Sequence, residues 1–141
     1  MIMTESQKII PSKFSIRHEA FMHLWWEVTL HQGSLYIQQD SSCLLPLAGG
    51  PDVGIKVTPT KAQWEEAYDL LSSIKLNGIR GDKGILDGTE IGWDVLWGEV
   101  KSKRTVINPI GDKIDKLYEA VTLLTISKEF PNGIVDSDCL E

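Results

Sequence analysis

The chain is short of cysteine, of long apolar runs and of positive charge. Only Cys43 and Cys139 occur in 141 residues, with no C-x-x-C and no dense spacing. That excludes a disulfide framework and a zinc knuckle, and leaves two free thiols or a single bridge. No window approaches the ~20 apolar residues that a bilayer span needs, and the opening MIMTESQKIIPSK has no apolar run of signal-peptide length. The expected compartment is therefore the cytoplasm, without membrane contact. Lys and Arg number 14 against 20 Asp and Glu, a formal charge of -6. A surface of that sign repels phosphate instead of releasing its counterions, so direct nucleic-acid binding is not expected. G-x-S-x-G, Ser-x-x-Lys, G-x-G-x-x-G and G-x-x-x-x-G-K-[ST] are all missing. The chain is read as a non-enzyme with no catalytic, cofactor or metal residues.

What remains is ordinary globular material, 42% hydrophobic and 24% charged with a mean hydropathy of -0.11, read as one domain over residues 1–141. Residues 1–12 read as a loose lead-in and 129–141 as an acidic tail with Asp136, Asp138 and Glu141. From Phe14 to Leu30 the pattern is strand-like: Met22, Leu24, Trp26, Val28 and Leu30 alternate with His23, Trp25, Glu27, Thr29 and His31. His31-Gln32-Gly33-Ser34 then separates this run from Leu35-Tyr36-Ile37, a hairpin signal. Residues 41 to 59 hold three prolines and three glycines and read as the longest loop. Thr60 and Gln63 fit a capping box, followed by Trp64, Ala67, Tyr68, Leu71 and Ile74 on one helix face and a stop at Asn77-Gly78. Ile85 to Val100 alternates again, with Ile91, Trp93, Val95 and Trp97 on one side, and Trp93 and Trp97 are expected in the core. Lys101-Ser102-Lys103-Arg104 reads as a turn and Thr105-Val106-Ile107 as the returning strand, before a second helix carrying Ile114, Leu117, Tyr118, Val121 and Leu124. This order predicts an α+β fold: an antiparallel sheet of about four to six strands with two helices on one face. The other face stays partly open, as in many antiparallel sheets.

Several clusters invite chemistry and have plainer readings. His23 and His31 on one strand would stand ~26 Å apart at ~3.3 Å per residue, too far to share an ion, and His18 is the third histidine. Gly78, Gly81, Gly84 and Gly88 are explained by turns. The carboxylates Asp82, Asp87, Glu90, Asp94 and Glu99 form an acid–base pair only if a pocket gathers them. More telling is the distribution of charge: residues 60 to 99 hold eight acids and four bases, most of the chain's net negative charge. Glu65, Glu66 and Asp69 on the first helix, near a strand with Glu90 and Asp94, would present an acidic patch suited to a basic protein partner. Trp25 and Trp26 must point to opposite faces of a regular strand, which makes Trp25 a candidate interface residue.

The run Ile85-Leu86-Asp87-Gly88-Thr89, Trp93-Asp94-Val95-Leu96, Asn108-Pro109, then Leu117 and Leu124, resembles a family of small bacterial proteins with a "DG, W, N, P, L" C-terminal half. The likeness spans residues 56 to 126, with Glu90, Ile91 and Gly92 lengthening the gap before Trp93. Several members are encoded beside polymorphic toxins. The resemblance implies an immunity protein of the contact-dependent growth inhibition type. Its partner would be a cognate toxin C-terminal domain, expected to be a basic nuclease, whose active site it occludes. The partner-binding candidates are Glu65, Glu66, Asp69, Glu90, Asp94 and Trp25. The alternative is a small-ligand domain with an aromatic-lined pocket near Trp25 and Tyr36 and the 41–59 loop as a lid. A third reading, an enzyme built from the carboxylates with His23 or His31, is the weakest.

Overall fold

A computed structural model describes residues 10–20, 25–39, 53–82, 89–128 and 130–134. Its elements are β1 (Lys13–Ala20), β2 (Trp25–His31), β3 (Ser34–Gln39), β4 (Val53–Val57), α1 (Lys61–Ser72), β5 (Arg80–Gly81), β6 (Thr89–Trp97), β7 (Val100–Ile107), β8 (Pro109–Ile110) and α2 (Asp112–Thr125). Six strands form one antiparallel sheet in the order β4-β3-β2-β1-β6-β7, and β5 pairs with β8 in a small second sheet. Both helices pack on one face, so the fold is α+β as the alternation and the helical periods imply.

The strands of the large sheet donate alternate residues to one core: Phe14 and Ile16, Trp26 and Val28, Leu35 and Ile37, Val57, then Ile91, Trp93, Val95 and Trp97, and Val100 and Val106. Against them lie Trp64, Ala67 and Leu71 of α1 and Ile114, Leu117, Val121 and Leu124 of α2. Trp97 sits at the aromatic centre, with ring centroids 5.9 Å from Phe14, 5.5 Å from Trp64 and 5.3 Å from Tyr68. The capping box is present as read: Thr60 Oγ1 accepts from the Gln63 amide at 3.2 Å, and Gln63 Oε1 accepts from the Thr60 amide at 2.8 Å.

Besides ending α1 at Ser72, short of Ile74 and of the stop expected at Asn77-Gly78, the structure differs from the sequence reading at four places. The run from Phe14 to Leu30 is two antiparallel strands; Ser15 pairs with Thr29 and Glu19 with Trp25. Opposite residues in that register share parity, so the even positions face the core on both strands and the alternation runs unbroken through the reversal. Second, residues 53–57 of the long loop form the edge strand β4, because Val53, Ile55 and Val57 alternate in spite of the neighbouring prolines. Third, the second hairpin turns at Gly98-Glu99, where Trp97 pairs with Val100, and Lys101–Arg104 lie within β7. Lys101, Lys103 and Thr105 alternate with Val100, Ser102, Arg104 and Val106, and exposed lysines suit an edge strand. The first hairpin does turn at Gln32-Gly33, with φ of 53° and 82°, the left-handed pair that a two-residue connection requires.

Fourth, the stretch after α2 begins as packed structure. Phe130, Gly133 and Ile134 are buried, and the Ile134 amide donates to Thr125 Oγ1 at 2.8 Å, while that hydroxyl donates to the Val121 carbonyl at 2.7 Å. Gly133 has φ 86°, and a Cβ there would meet the Thr122 carbonyl oxygen at 2.6 Å. Gly133→Ala is therefore expected to cost about 2 kcal/mol, read as a lowered urea midpoint at unchanged m. At the other end Pro11 is buried and the Ser12 amide donates to the Leu96 carbonyl at 2.9 Å, so the lead-in is anchored at its close. Met22, His23, Leu24, Cys43, Gly84, Ile85 through Gly88, Cys139 and the tail acids lie outside the described residues.

Candidate binding face

Alternation sends the other half of every strand to the second face of the sheet, which no described element covers. The register lines these residues up in rows. One row runs Lys56, Tyr36, Thr29, Ser15, Asp94, Lys103 from β4 to β7, and the next runs Gly54, Gln38, Glu27, Arg17, Gly92, Thr105. Beyond the first row stand Lys13, Leu96 and Lys101; beyond the second come the position of Trp25, then Glu19, Glu90 and Ile107. Three large hydrophobic side chains are exposed here: Tyr36 at 38%, Leu96 at 41% and Ile107 at 45%.

Two hollows break this face. One, of about 470 Å³, is bounded by Thr29, Tyr36, Gln38, Ile55 and Lys56, with the Lys56 ammonium 5.9 Å from the Tyr36 ring centroid. The other, of about 510 Å³, is bounded by Arg17, Glu27, Gly92, Asp94, Lys103 and Thr105. Gly92 makes the floor of the second because it has no side chain in the middle of β6. Its φ is not positive, and a Cβ would meet nothing nearer than Thr105 Oγ1 at 3.3 Å. A glycine inside a strand weakens it, and commonly marks a place where another molecule approaches the backbone.

The ions of the face are partly matched. Lys13 Nζ lies 3.4 Å from Asp94, and Arg17 Nε lies 3.7 Å from Glu19. Glu19 and Glu90 are directly opposite each other, a like-charge pair that destabilises two neighbouring strands. Five bases and four acids share the face, so it is not an acidic surface.

The six sequence candidates do not form one patch. Glu65, Glu66 and Asp69 are exposed on the outer side of α1, whereas Glu90, Asp94 and the position of Trp25 belong to the open sheet face. The sheet and its core stand between the two groups. The expected acidic patch is therefore corrected to two separate sets, because alternation turns Glu90 and Asp94 away from the helices that Ile91, Trp93 and Val95 contact. Among the described residues twelve acids meet twelve bases, and the net charge of -6 arises entirely outside them. The sequence reading passed over Arg17, Glu19, Gly92 and Lys103. The signal for Lys103 was the parity of β7, hidden by the misplaced turn, whereas Arg17 and Glu19 share the parity of Glu27 and Thr29, and Gly92 shares that of Asp94.

At the far end of the core layer, His18 stacks on Trp26 with centroids 5.3 Å apart and meets the edge of Tyr118 at 6.0 Å. Its Nδ1 is buried without a hydrogen-bond partner among the described residues. Burial lowers its pKa from 6.5, with the Glu19 carboxylate acting in the opposite direction. Burial, helped by Asp115, pushes the Tyr118 phenol up to about 12. Both rings are thus neutral at pH 7 and have a packing role. The unfolded chain takes up a proton at residue 18 before the folded one does, so this group's contribution to stability is complete above pH about 6.5 and falls as the pH drops from there towards the lowered value. Urea midpoints measured across that window should decline, and His18→Phe should flatten the decline.

No group of three or more His, Cys, Asp or Glu among the described residues is placed to hold a metal ion, and no described helix is long and apolar enough to cross a membrane. Of the residues that carry the resemblance, Trp93, Asn108, Leu117 and Leu124 serve the scaffold, Asp94 and Leu96 lie on the open face, and residues 85–88 are outside the described ones. The Trp93 indole donates to Ser102 Oγ at 2.8 Å, and Ser102 Oγ donates to Asn77 Oδ1 at 2.6 Å. Buried Asn108, at φ 52°, accepts from the Thr89 amide at 2.8 Å and donates from Nδ2 to the Asp82 carbonyl at 2.9 Å. Leu117 and Leu124 are core. No family model matches the chain, and no curated protein matches it either, so a functional reading rests on the geometry of the open face.

Proposed function

We propose that the chain is a protein-binding domain that covers its partner with the open face of the six-stranded sheet, and that the partner is a toxin domain, as the immunity-protein resemblance implies. The observation that carries the binding surface is the coincidence, on one uncovered face, of two hollows with exposed Tyr36, Leu96 and Ile107. Aromatic and arginine side chains ringed by polar groups are the composition of interface centres. Glu90 and Asp94 retain a place at this surface. Glu65, Glu66 and Asp69 do not, and the complementary surface is mixed in charge instead of uniformly basic.

The test is affinity capture from the native host with three baits: the parent chain, an open-face variant (Arg17→Glu, Tyr36→Ala) and a helix variant (Glu65→Ala, Glu66→Ala, Asp69→Ala). The expected result is a stoichiometric partner, the C-terminal part of a large secreted protein, retained by the parent and the helix variant and lost from the open-face variant. Retention by the open-face variant would exclude the open face, and loss from the helix variant alone would move the site to α1. No retained partner in toxin-expressing cells would remove the immunity reading.

The small-ligand reading keeps one supporting observation, the 470 Å³ hollow beside Tyr36 where such a pocket was expected. It predicts that a small molecule raises the melting temperature of the parent and not of Tyr36→Ala. The proposed lid is reduced, since residues 53–57 are β4.

A further inference from the structure

The charges of the open face are ordered along the strands. Towards one end stand Lys13 and Lys101, with Lys56 and Lys103 one row further in and Asp94 as the acid among them. Towards the other stand Glu19 and Glu90 side by side, with Glu27 one row in beside Arg17. The face is therefore basic at one end and acidic at the other. A two-fold axis lying in the plane of the face and crossing the strands between the two middle rows exchanges these ends. On β1 it exchanges position 13 with 19 and 15 with 17; on β6 it exchanges 92 with 94.

We propose that two copies of this chain associate face to face about that axis. The inference rests on the reading above that the open face is an interface. Lys13 of each copy then meets Glu19 of the other, supplying a cation to the like-charged Glu19 and Glu90 pair. Asp94 of each copy enters the hollow over the other's Gly92, beside Arg17. Self-complementarity of this kind is what an isologous contact requires, and sheets packed face to face hold their strands within about 30° of each other, which keeps the rows in approximate correspondence. Five inter-strand spacings of about 4.8 Å and strands of about seven residues at ~3.3 Å give a footprint of roughly 24 Å by 23 Å. With side-chain relief this approaches the ~800 Å² per partner of a standard interface. A toxin and the second copy compete for one surface.

The experiment is sedimentation velocity on the full chain, from micromolar to several hundred micromolar, in about 0.05 M and about 0.5 M salt. The parent is expected to dimerise, more weakly in high salt. Lys13→Glu alone and Glu19→Lys alone should each weaken the dimer by at least about tenfold, because both of the 13–19 contacts between the copies become like-charged. An equimolar mixture of the two single variants should associate as a heterodimer, and the double variant as a homodimer, each near the parent's affinity. Both positions are exposed on β1, and thermal melts verify that each variant is folded. A parent that stays monomeric throughout, single variants that dimerise normally, or a mixture that gains nothing over its components would each overturn the proposal. A monomeric parent that still captures a partner overturns self-association alone, whereas a dimer with no captured partner leaves self-association standing and removes the toxin reading.

Discussion

Trp97→Ala is expected to lower the stability of the fold by about 4 kcal/mol, a fall of roughly 15 °C in Tm for a chain of this size. Trp97 is 1% exposed and ends β6 against Phe14 of β1 and against Trp64 and Tyr68 of α1. Its removal leaves a cavity at the junction of sheet and first helix, where three aromatic rings lose an edge-to-face or tilted partner. Those rings come from two rigid elements and cannot collapse into the space together, so the cost belongs in the upper part of the usual range for large-to-small changes. Trp97→Phe should recover about half of the loss. Thermal melts of the three proteins test this. A loss below about 1 kcal/mol for the alanine variant would place Trp97 outside the core.

The second large effect is expected at Arg104. Its Nη1 donates to the carbonyls of Leu76, Asn77 and Ile79 at 3.3, 2.8 and 2.7 Å, and the guanidinium lies 5.9 Å from the Trp93 ring centroid. The segment that follows α1 thus closes over β7 around one cation. Arg104→Ala strips three carbonyls of a charged donor, and an expected loss of about 3 kcal/mol follows from the strength of hydrogen bonds to ionised groups. Arg104→Lys retains the charge but not the planar fork and should recover less than half. The readout is the urea midpoint together with amide exchange in residues 76–81, which should quicken in the alanine variant. Recovery of full stability by lysine would contradict the geometric account.

Arg104 also shows where sequence reading stopped. Lys101-Ser102-Lys103-Arg104 has the composition of a turn, and nothing local reveals that Ser102 and Arg104 face inward to Trp93 and Asn77. Those partners lie on other elements, and only the fold brings them together. By contrast the capping box at Thr60, the α1 and α2 faces, the first hairpin turn and the placement of Trp93 and Trp97 were legible, because each rests on contacts or periods within a few residues. Shared parity across the reversal between β1 and β2 concealed one turn, and proline and glycine content concealed β4. The same limit governed the candidate site. Sequence proximity and charge sign joined Glu65, Glu66 and Asp69 to Glu90 and Asp94, while strand alternation puts the sheet between them.

The lysines offer the most direct test that the open face is the binding surface. Lys13, Lys56, Lys101 and Lys103 belong to that face, while Lys61, Lys113 and Lys116 are exposed on the helical layer. Acetylation rates at each, read by mass spectrometry for the dilute free chain and for the chain in complex with its captured partner, give both layers in one experiment. The four sheet lysines should become protected in the complex, and the helical three should not. Protection confined to Lys61, Lys113 and Lys116 would contradict the open-face reading.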